Sequence, residues 1–495
     1  MSDDATDPTI FGDPESAPRK PRRDDRFVAT VERYGPKGRP TGSIGPYTVE
    51  WSGWAGVPSH GLVPGARVEG QVKRRRRDRL DARVLSVLSP GPEAVEPRCA
   101  HFASCGGCTM QDSSYKGQLR ALGDGLRRAL EPVIGSAVAT VEVEPAPDVF
   151  GYRNKMDFTF ANRRWVEAGA PDDDTRPDDF ALGLHVAGRF EKVLDVTACS
   201  IQFEGADALL SDIRSLAMES GQPAWDVREH TGFWRHAVLR QGRHTGQTMV
   251  HLVTASVGED PERRSSVDRL VGALVDRRPE LTTVVHTQTD RLSTVAAGET
   301  VDVLHGPGVI TDQLRGVQFE ISAQSFFQTN TLAAERMLGW IDSRLEDETG
   351  GTLFDLYCGA GAIGLTLARR FDSVVGIELV EAAVEDARRN ARANGIEHAE
   401  FHAGDVPVVL EQGAFGTVEL AVVDPPRAGL HPKFIDALLA SPPRRSIYVS
   451  CNPVAAARDL ERLTEMAYEV RAMRAFDLFP HTPHVETVFD LVRRS

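Results

Sequence analysis

Six cysteines in 495 residues are too few for a secreted disulfide framework. No apolar run approaches the ~18 residues of a membrane span. The opening stretch MSDDATDPTIFGDPESAPRK has no apolar segment behind its charges, so no export signal is read there and a cytoplasmic location is expected. Internal repeats are absent. Aromatics make up only 7% of the chain, and positive charge is in deficit, with a formal net charge of -14. That sum argues against a uniformly basic surface but says nothing about local patches. Lys73, Arg74, Arg75, Arg76 and Arg77, followed by Arg79, form a dense basic run, and Arg19, Lys20, Arg22 and Arg23 a second. Acids gather elsewhere, as in Asp172–Asp174 and Asp178–Asp179. A polyanion responds to the potential where its phosphates sit, so RNA remains an expected partner.

With 41% hydrophobic residues the chain can bury several cores, and its length suggests about three domains. Residues 1–25 read as a disordered polar tail. Residues 26–90 hold short strand-like runs (FVATVERY, YTVEWSG, GARVEGQVKRR, DARVLSVLS) broken by glycine and proline, as in a small β-barrel. Residues 91–335 read as a central α+β domain, with helical patterns at 113–131 and 203–219. Its strand-like runs are MDFTFA, LGLHVA, HAVLRQ, TMVHLVTA and TTVVHTQ, and an acidic surface loop covers 165–180. Residues 336–495 form a third domain. From a helix at 331–346 onward, strands at 352–357, 373–378, 399–402, 418–423 and 445–450 alternate with helices at 362–370, 380–394, 431–440 and 454–466. This predicts a doubly wound, mainly parallel α/β sheet.

The chemistry-bearing motifs fall at strand ends of this last domain. Asp355, Tyr357, Gly359 and Gly361 stand in FDLYCGAGAIG, a strand running into a glycine-rich turn and a helix, where a ligand can approach the backbone. Glu378 ends the next strand, where an acid can accept from ribose hydroxyls, and Asp405 is placed to hold an adenine amino group. The loop alone also suits a dinucleotide dehydrogenase. With both acids it resembles the S-adenosylmethionine site of class I methyltransferases. Cys358, inside the loop, reads as a packing residue. Asp424 opens DPPRAGL, Cys451 sits in SCNP, and Glu486 in HTPHVETV. A strand-end cysteine suits a nucleophile, and a carboxylate suits a base.

DPPRAGL, SCNP and HTPHVETV, in this order after FDLYCGAG, resemble the bacterial RNA uracil-5-methyltransferases of the TrmA/RumA type. The resemblance covers about residues 26–495. It implies that Cys451 adds to carbon 6 of a uridine, that carbon 5 then takes the methyl group, and that Glu486 removes the carbon-5 proton. Asp424 would hold the uracil edge or the cofactor. The implied cofactor contacts are Gln328 of SFFQTN, Tyr357, Glu378, Asp405 and Asp424, in the loop that also carries Asp355, Gly359 and Gly361. Ala362 stands where many members have Asn. A cytosine-5 methyltransferase would carry a Pro-Cys pair where Asp424-Pro425-Pro426 stands. An adenine amino-methyltransferase needs no cysteine nucleophile, and a non-catalytic RNA-binding protein needs neither Cys451 nor Glu486.

Cys99, Cys105 and Cys108 have C-x5-C-x2-C spacing, and Cys199 lies far downstream. Four thiolates suit zinc or an iron–sulfur cluster, which spacing alone does not separate. The resemblance of CGGCTMQ to the family's cluster stretch favours [4Fe-4S]. The first domain resembles a TRAM module, with Lys73 to Arg77 meeting phosphates, and Gly151 to Lys155 matches a family motif. No protein partner is evident, and a monomer is the default.

Overall fold

The computed structural model describes residues 19–54, 61–135, 141–166, 177–292, 296, 298, 300–412 and 418–494. Most of the 1–25 tail and of the 165–180 loop lies outside the described residues. No helix among the described residues is long and apolar enough to cross a membrane.

β1 (Arg26–Tyr34), β2 (Pro40–Ile44), β3 (Tyr47–Trp54), β4 (Arg67–Arg76) and β5 (Arg79–Ser89) close into a barrel in the order β1-β2-β3-β5-β4. Alternation sends Phe27, Val31, Val49, Val68, Val72, Leu80 and Val84 inward, where all are buried. Beyond Val72 the alternation stops, and Lys73 through Arg77 are exposed along the end of β4 and its turn into β5.

α1 (Tyr115–Ile134) starts at Ser114, whose hydroxyl accepts from the Gly117 N–H at 3.0 Å. Leu122, Leu126 and Leu130 recur every fourth residue and form one buried stripe. That stripe packs on the third sheet, and the short β6 (Val143–Glu144) adds a strand to its edge. The first part of the 91–335 segment is thus sewn into the last sheet.

The central sheet contains β7 (Lys155–Ala161), β8 (Arg164–Trp165), β9 (Ala181–Val186), β10 (Arg189–Asp195), β11 (Trp234–Gln241), β12 (Thr248–Thr254), β13 (Thr283–Gln288) and β14 (Thr300–His305), in the order β14-β13-β12-β11-β7-β9-β10-β8. α2 (Ala206–Glu219) and α3 (Pro261–Arg277) share its core. The sequence reading has no helix at α3, because PERRSSVDR masks a narrow stripe of Val267, Leu270, Val271 and Leu274. The start signal was nonetheless present, an Asp260 cap followed by Pro261. The hairpin β15 (Val309–Leu314) and β16 (Val317–Ser322) packs against the third domain.

That domain contains α4 (Thr331–Arg344), β17 (Thr352–Leu356), α5 (Ala362–Leu367), β18 (Ser373–Glu378), α6 (Glu381–Ala393), β19 (Ala399–Ala403) and α7 (Val406–Gln412). These are followed by β20 (Leu420–Val423), α8 (Pro432–Ala440), β21 (Arg445–Ser450), α9 (Pro453–Met466), β22 (Tyr468–Phe476) and β23 (Glu486–Arg493). The strand order is β19-β18-β17-β20-β21-β23-β22-β6. β19 through β21 run parallel, as the alternating pattern predicts, while β23 is antiparallel to both β21 and β22. The order reverses between β17 and β20, and there the sheet's carboxyl edge opens a crevice.

Candidate active site

The strand register brings the motifs together. β17 and β20 pair Leu356 with Val423, so Tyr357 and Asp424 emerge side by side, and the Asp424 N–H donates to the Leu356 carbonyl at 3.2 Å. β21 and β23 pair Ser450 with Thr487, which carries Cys451 to the level of Glu486. Because β23 runs the opposite way, its first residue lands on the same edge as the last residues of β20 and β21. Cys451 and Asp424 are half-buried, and Glu486 is buried.

Each of the three is shifted upward by its setting. Burial, with Asp424 alongside, holds the Glu486 carboxyl well above the usual range, and burial lifts Asp424 to about 7. Burial followed by the charges of Glu486 and Asp424 pushes the Cys451 thiol up to about 11, with Arg427 pulling the other way. Arg427 is held by two neighbours. The Asn452 amide donates to its carbonyl at 3.0 Å, and its guanidinium meets His484 Nδ1 at 3.1 Å. Asp459, fully buried on α9, accepts from the Leu430 N–H at 2.7 Å and from the Tyr448 hydroxyl at 2.8 Å, fixing the DPPRAGL loop from below. No local motif marks Asp459. Its role exists only through packing.

Beside this edge a pocket is lined by Phe326, Phe327, Gln328, Asp355, Tyr357, Gly359, Ala360, Ala362 and Asp424, among others. Tyr357 adopts a left-handed conformation (φ 65°), as do Gly359 and Gly361. This sharp turn presents the loop backbone to the pocket. Asp355 accepts from the Gly364 N–H at 2.7 Å through one oxygen. The other oxygen is buried without a partner, and burial raises the group to about 7. Gln328 is pinned by Asn154, whose amide donates to its carbonyl at 2.9 Å. Asn154 of the Gly151–Lys155 segment thus holds the Gln328 loop in place. Gly361 caps α5 behind the pocket wall. Glu378 accepts from the Gly359 N–H at 3.1 Å and the Val380 N–H at 2.9 Å, so it braces the loop from the next strand. Asp405 follows β19, is exposed and lies outside the lining residues. Cys358 is buried in the core with its thiol pushed well up by burial, consistent with packing.

A family model for tRNA (uracil-5-)-methyltransferases matches residues 302–403 and 407–494. An uncharacterized RNA methyltransferase of Chlorobaculum tepidum is 38% identical over 436 residues, covering 86% of this chain and 89% of that one. A second from Caldanaerobacter subterraneus subsp. tengcongensis is 37% identical over 430 residues, covering 86% and 92%. The chain belongs to the RNA uracil-5-methyltransferase family. The structure of Pyrococcus abyssi tRNA (uracil-54, C5)-methyltransferase in complex with S-adenosyl-L-homocysteine superposes with a TM-score of 0.69 at 27% identity, covering 94% of this chain and all of that one.

In this RNA methyltransferase the clustered Cys99, Cys105 and Cys108 and the distant Cys199 line one cavity of about 570 Å³. The β9–β10 hairpin walls it: the Gly106 N–H donates to the His185 carbonyl at 2.9 Å and the Ala187 N–H to the Ser104 carbonyl at 3.1 Å. Burial raises the thiols of Cys105 to about 11 and Cys108 to about 12, and raises Cys199. Gln111, also lining the cavity, accepts from the Cys99 N–H at 3.0 Å, and its side chain also hydrogen-bonds the Cys108 thiol. Among the described residues no three His, Cys, Asp or Glu side chains converge as a single ion requires.

Proposed function

We propose that this methyltransferase transfers a methyl group from S-adenosylmethionine to carbon 5 of a uridine in RNA through a covalent adduct between Cys451 and carbon 6. The observation that carries this reading is the shared edge: nucleophile, base and Asp424 stand together beside the glycine-loop pocket. The pocket suits the cofactor. It offers an unpartnered buried oxygen of Asp355, a turned backbone at Tyr357 and Gly359, and the Gln328 loop as opposite wall, while Glu378 and Asp405 stand at the adjoining strand ends for the nucleoside half. S-adenosylmethionine supplies an electrophilic methyl group. Cys451 supplies the thiolate that adds to carbon 6 and makes carbon 5 nucleophilic. Asp424 orients the uracil edge. Glu486, a stronger base for being buried, takes the carbon-5 proton as the thiolate leaves. RNA containing 5-fluorouridine has no carbon-5 proton to lose. With the methyl donor it is expected to hold the intact protein in a complex stable to denaturing electrophoresis, and failure to form it would refute the mechanism. The Pyrococcus relative acts on uracil 54 of tRNA, so mapping 5-methyluridine starts with transfer RNA and extends to ribosomal RNA.

The barrel at 26–90 is read as the RNA-docking domain, 91–335 as the cysteine-bearing central domain and 336–495 as the methyltransferase domain. Lys73, Arg74, Arg75, Arg76 and Arg77 would meet phosphates. Changing Arg74 to Arg77 together to alanine is expected to weaken binding equally across RNA sequences. It should also flatten the logarithmic salt dependence by about 0.7–0.9 for each phosphate no longer neutralised, as read by titration at several salt concentrations.

The cysteine cavity is read as a [4Fe-4S] site held by Cys99, Cys105, Cys108 and Cys199. Four sulfurs around one cavity of this size fit a polynuclear cluster better than a single zinc ion, which needs its ligands drawn tightly together. The raised thiol values favour the protonated forms, so binding there would release protons. Protein purified without oxygen is expected to contain iron and acid-labile sulfide in equal amounts, and Cys108→Ser to lose both. Stoichiometric zinc in place of iron would overturn the assignment.

A further inference from the structure

Glu486 is the first residue of β23 and closes the hairpin loop 477–485 against Phe476. The loop is held from several directions. Asn330 donates to the Leu478 carbonyl at 3.1 Å, and the Tyr152 hydroxyl donates to the Pro480 carbonyl at 3.2 Å. At its centre stands His481, buried and in a left-handed conformation (φ 69°) that a non-glycine residue keeps only when its surroundings enforce it. Three segments do so. The His481 carbonyl accepts from the N–H groups of Thr109 (2.9 Å) and Met110 (3.1 Å), directly after Cys108. Phe150 stacks on its ring with centroids 4.5 Å apart. Gln118, buried on α1, takes hold of it twice: its carbonyl oxygen accepts the His481 N–H at 3.0 Å, and its amide meets His481 Nδ1 at 3.2 Å.

The other two members of the site are held differently. Cys451 is carried by β21 and by the Asn452 cap of α9, and Asp424 by the loop that Asp459 grips from α9. Of the three, Glu486 alone directly follows the His481 loop, which reaches the Asp424 segment through the His484–Arg427 contact.

We propose that Gln118 is a positioning residue for Glu486, fixing through His481 the loop that aims this carboxylate and thereby setting the rate of the closing proton-removal step. The inference rests on the covalent reading above. In that step the Glu486 carboxylate takes the proton from methylated carbon 5. The C5–H electron pair becomes the C5–C6 double bond, and the C6–S pair departs with the Cys451 thiolate. Addition and methyl transfer precede it and do not need the base.

The test is turnover of unmodified substrate RNA by Gln118→Met, an uncharged replacement of similar length without hydrogen-bonding groups. We expect kcat to fall about tenfold or more with KM held within about threefold, and the fraction of enzyme caught as methylated covalent complex on denaturing gels to rise several-fold. Gln118→Glu, which keeps the acceptor for the His481 N–H, is expected to return that fraction towards the wild-type level. Should the methionine variant aggregate, Phe150→Leu, which removes the stacked ring, is read in the same assay with the same deciding outcomes. Unchanged kcat, or a lowered kcat without accumulation of the methylated complex, overturns the proposal. Failure of the wild-type protein to be trapped by 5-fluorouridine RNA would instead remove the covalent mechanism itself, so the two failures are distinguishable.

Discussion

Cys451→Ala is expected to lower methyl transfer by at least about 10⁴-fold while RNA binding stays within a few-fold of wild type. Removing the sulfur leaves carbon 5 of uracil too weak a nucleophile to take the methyl group, and no other thiol can substitute. Cys358 is buried in the core, and the other four cysteines line a separate cavity behind the β9–β10 hairpin. In the proposed reading RNA affinity would rest on phosphate contacts away from the strand edge, so it should not follow activity down. The measurement is methyl incorporation into substrate RNA beside filter binding of the same RNA. Retention of even a few per cent of the activity would mean that carbon 5 is activated without an adduct.

The second large effect is expected at Glu486. Glu486→Gln keeps the shape and removes the proposed base, so on the covalent reading addition and methylation should proceed and release should stop. The enzyme should accumulate as a methylated covalent complex with unmodified RNA, and multiple turnover should fall by about 10³-fold or more. The same change is expected to stabilise the free protein. Burial and Asp424 raise the Glu486 carboxyl above its unfolded value, so the native state binds the proton more tightly than the unfolded chain. The corresponding stability is present below the unfolded pKa and lost as pH climbs towards the folded one. Glutamine, neutral at every pH, avoids that loss, so the gain in Tm over wild type should be larger at pH 8 than at pH 5. Removing one of the two acids that lift the Cys451 thiol should also speed its alkylation by iodoacetamide at pH 8. A lower Tm at both pH values, with no trapped complex, would contradict the role given to Glu486.

What was legible in the sequence was what is local. Tyr357, Asp424 and Cys451 each follow a short apolar strand directly, so their placement on one edge could be read from alternation alone. Glu486 could not be placed that way, because its position depends on β23 running against β21 with Ser450 opposite Thr487. Asp459 and Gln118 were invisible for the same reason. One fixes a loop 29 residues away in sequence and the other a turn 363 residues away, and neither sits in a recognisable pattern. Asp405 illustrates the limit of strand-end position: it follows β19 but is exposed and, like Glu378, outside the lining of the glycine-loop pocket. Lys73 to Arg77 lie where the loss of alternation put them, because a strand end without apolar residues has nothing to bury.

The stitching of α1 and β6 into the last sheet has a consequence for biosynthesis. Leu122, Leu126 and Leu130 leave the ribosome long before Leu460, Leu463 and Phe489, the surfaces they finally cover, have been made. Until then the barrel and the central sheet can fold, but this helix carries an uncovered greasy stripe in water. The last third of the chain, expressed alone, would lack the same cover from the other side. Late synthesis of the covering strands therefore leaves docking of this helix as one of the last steps of folding.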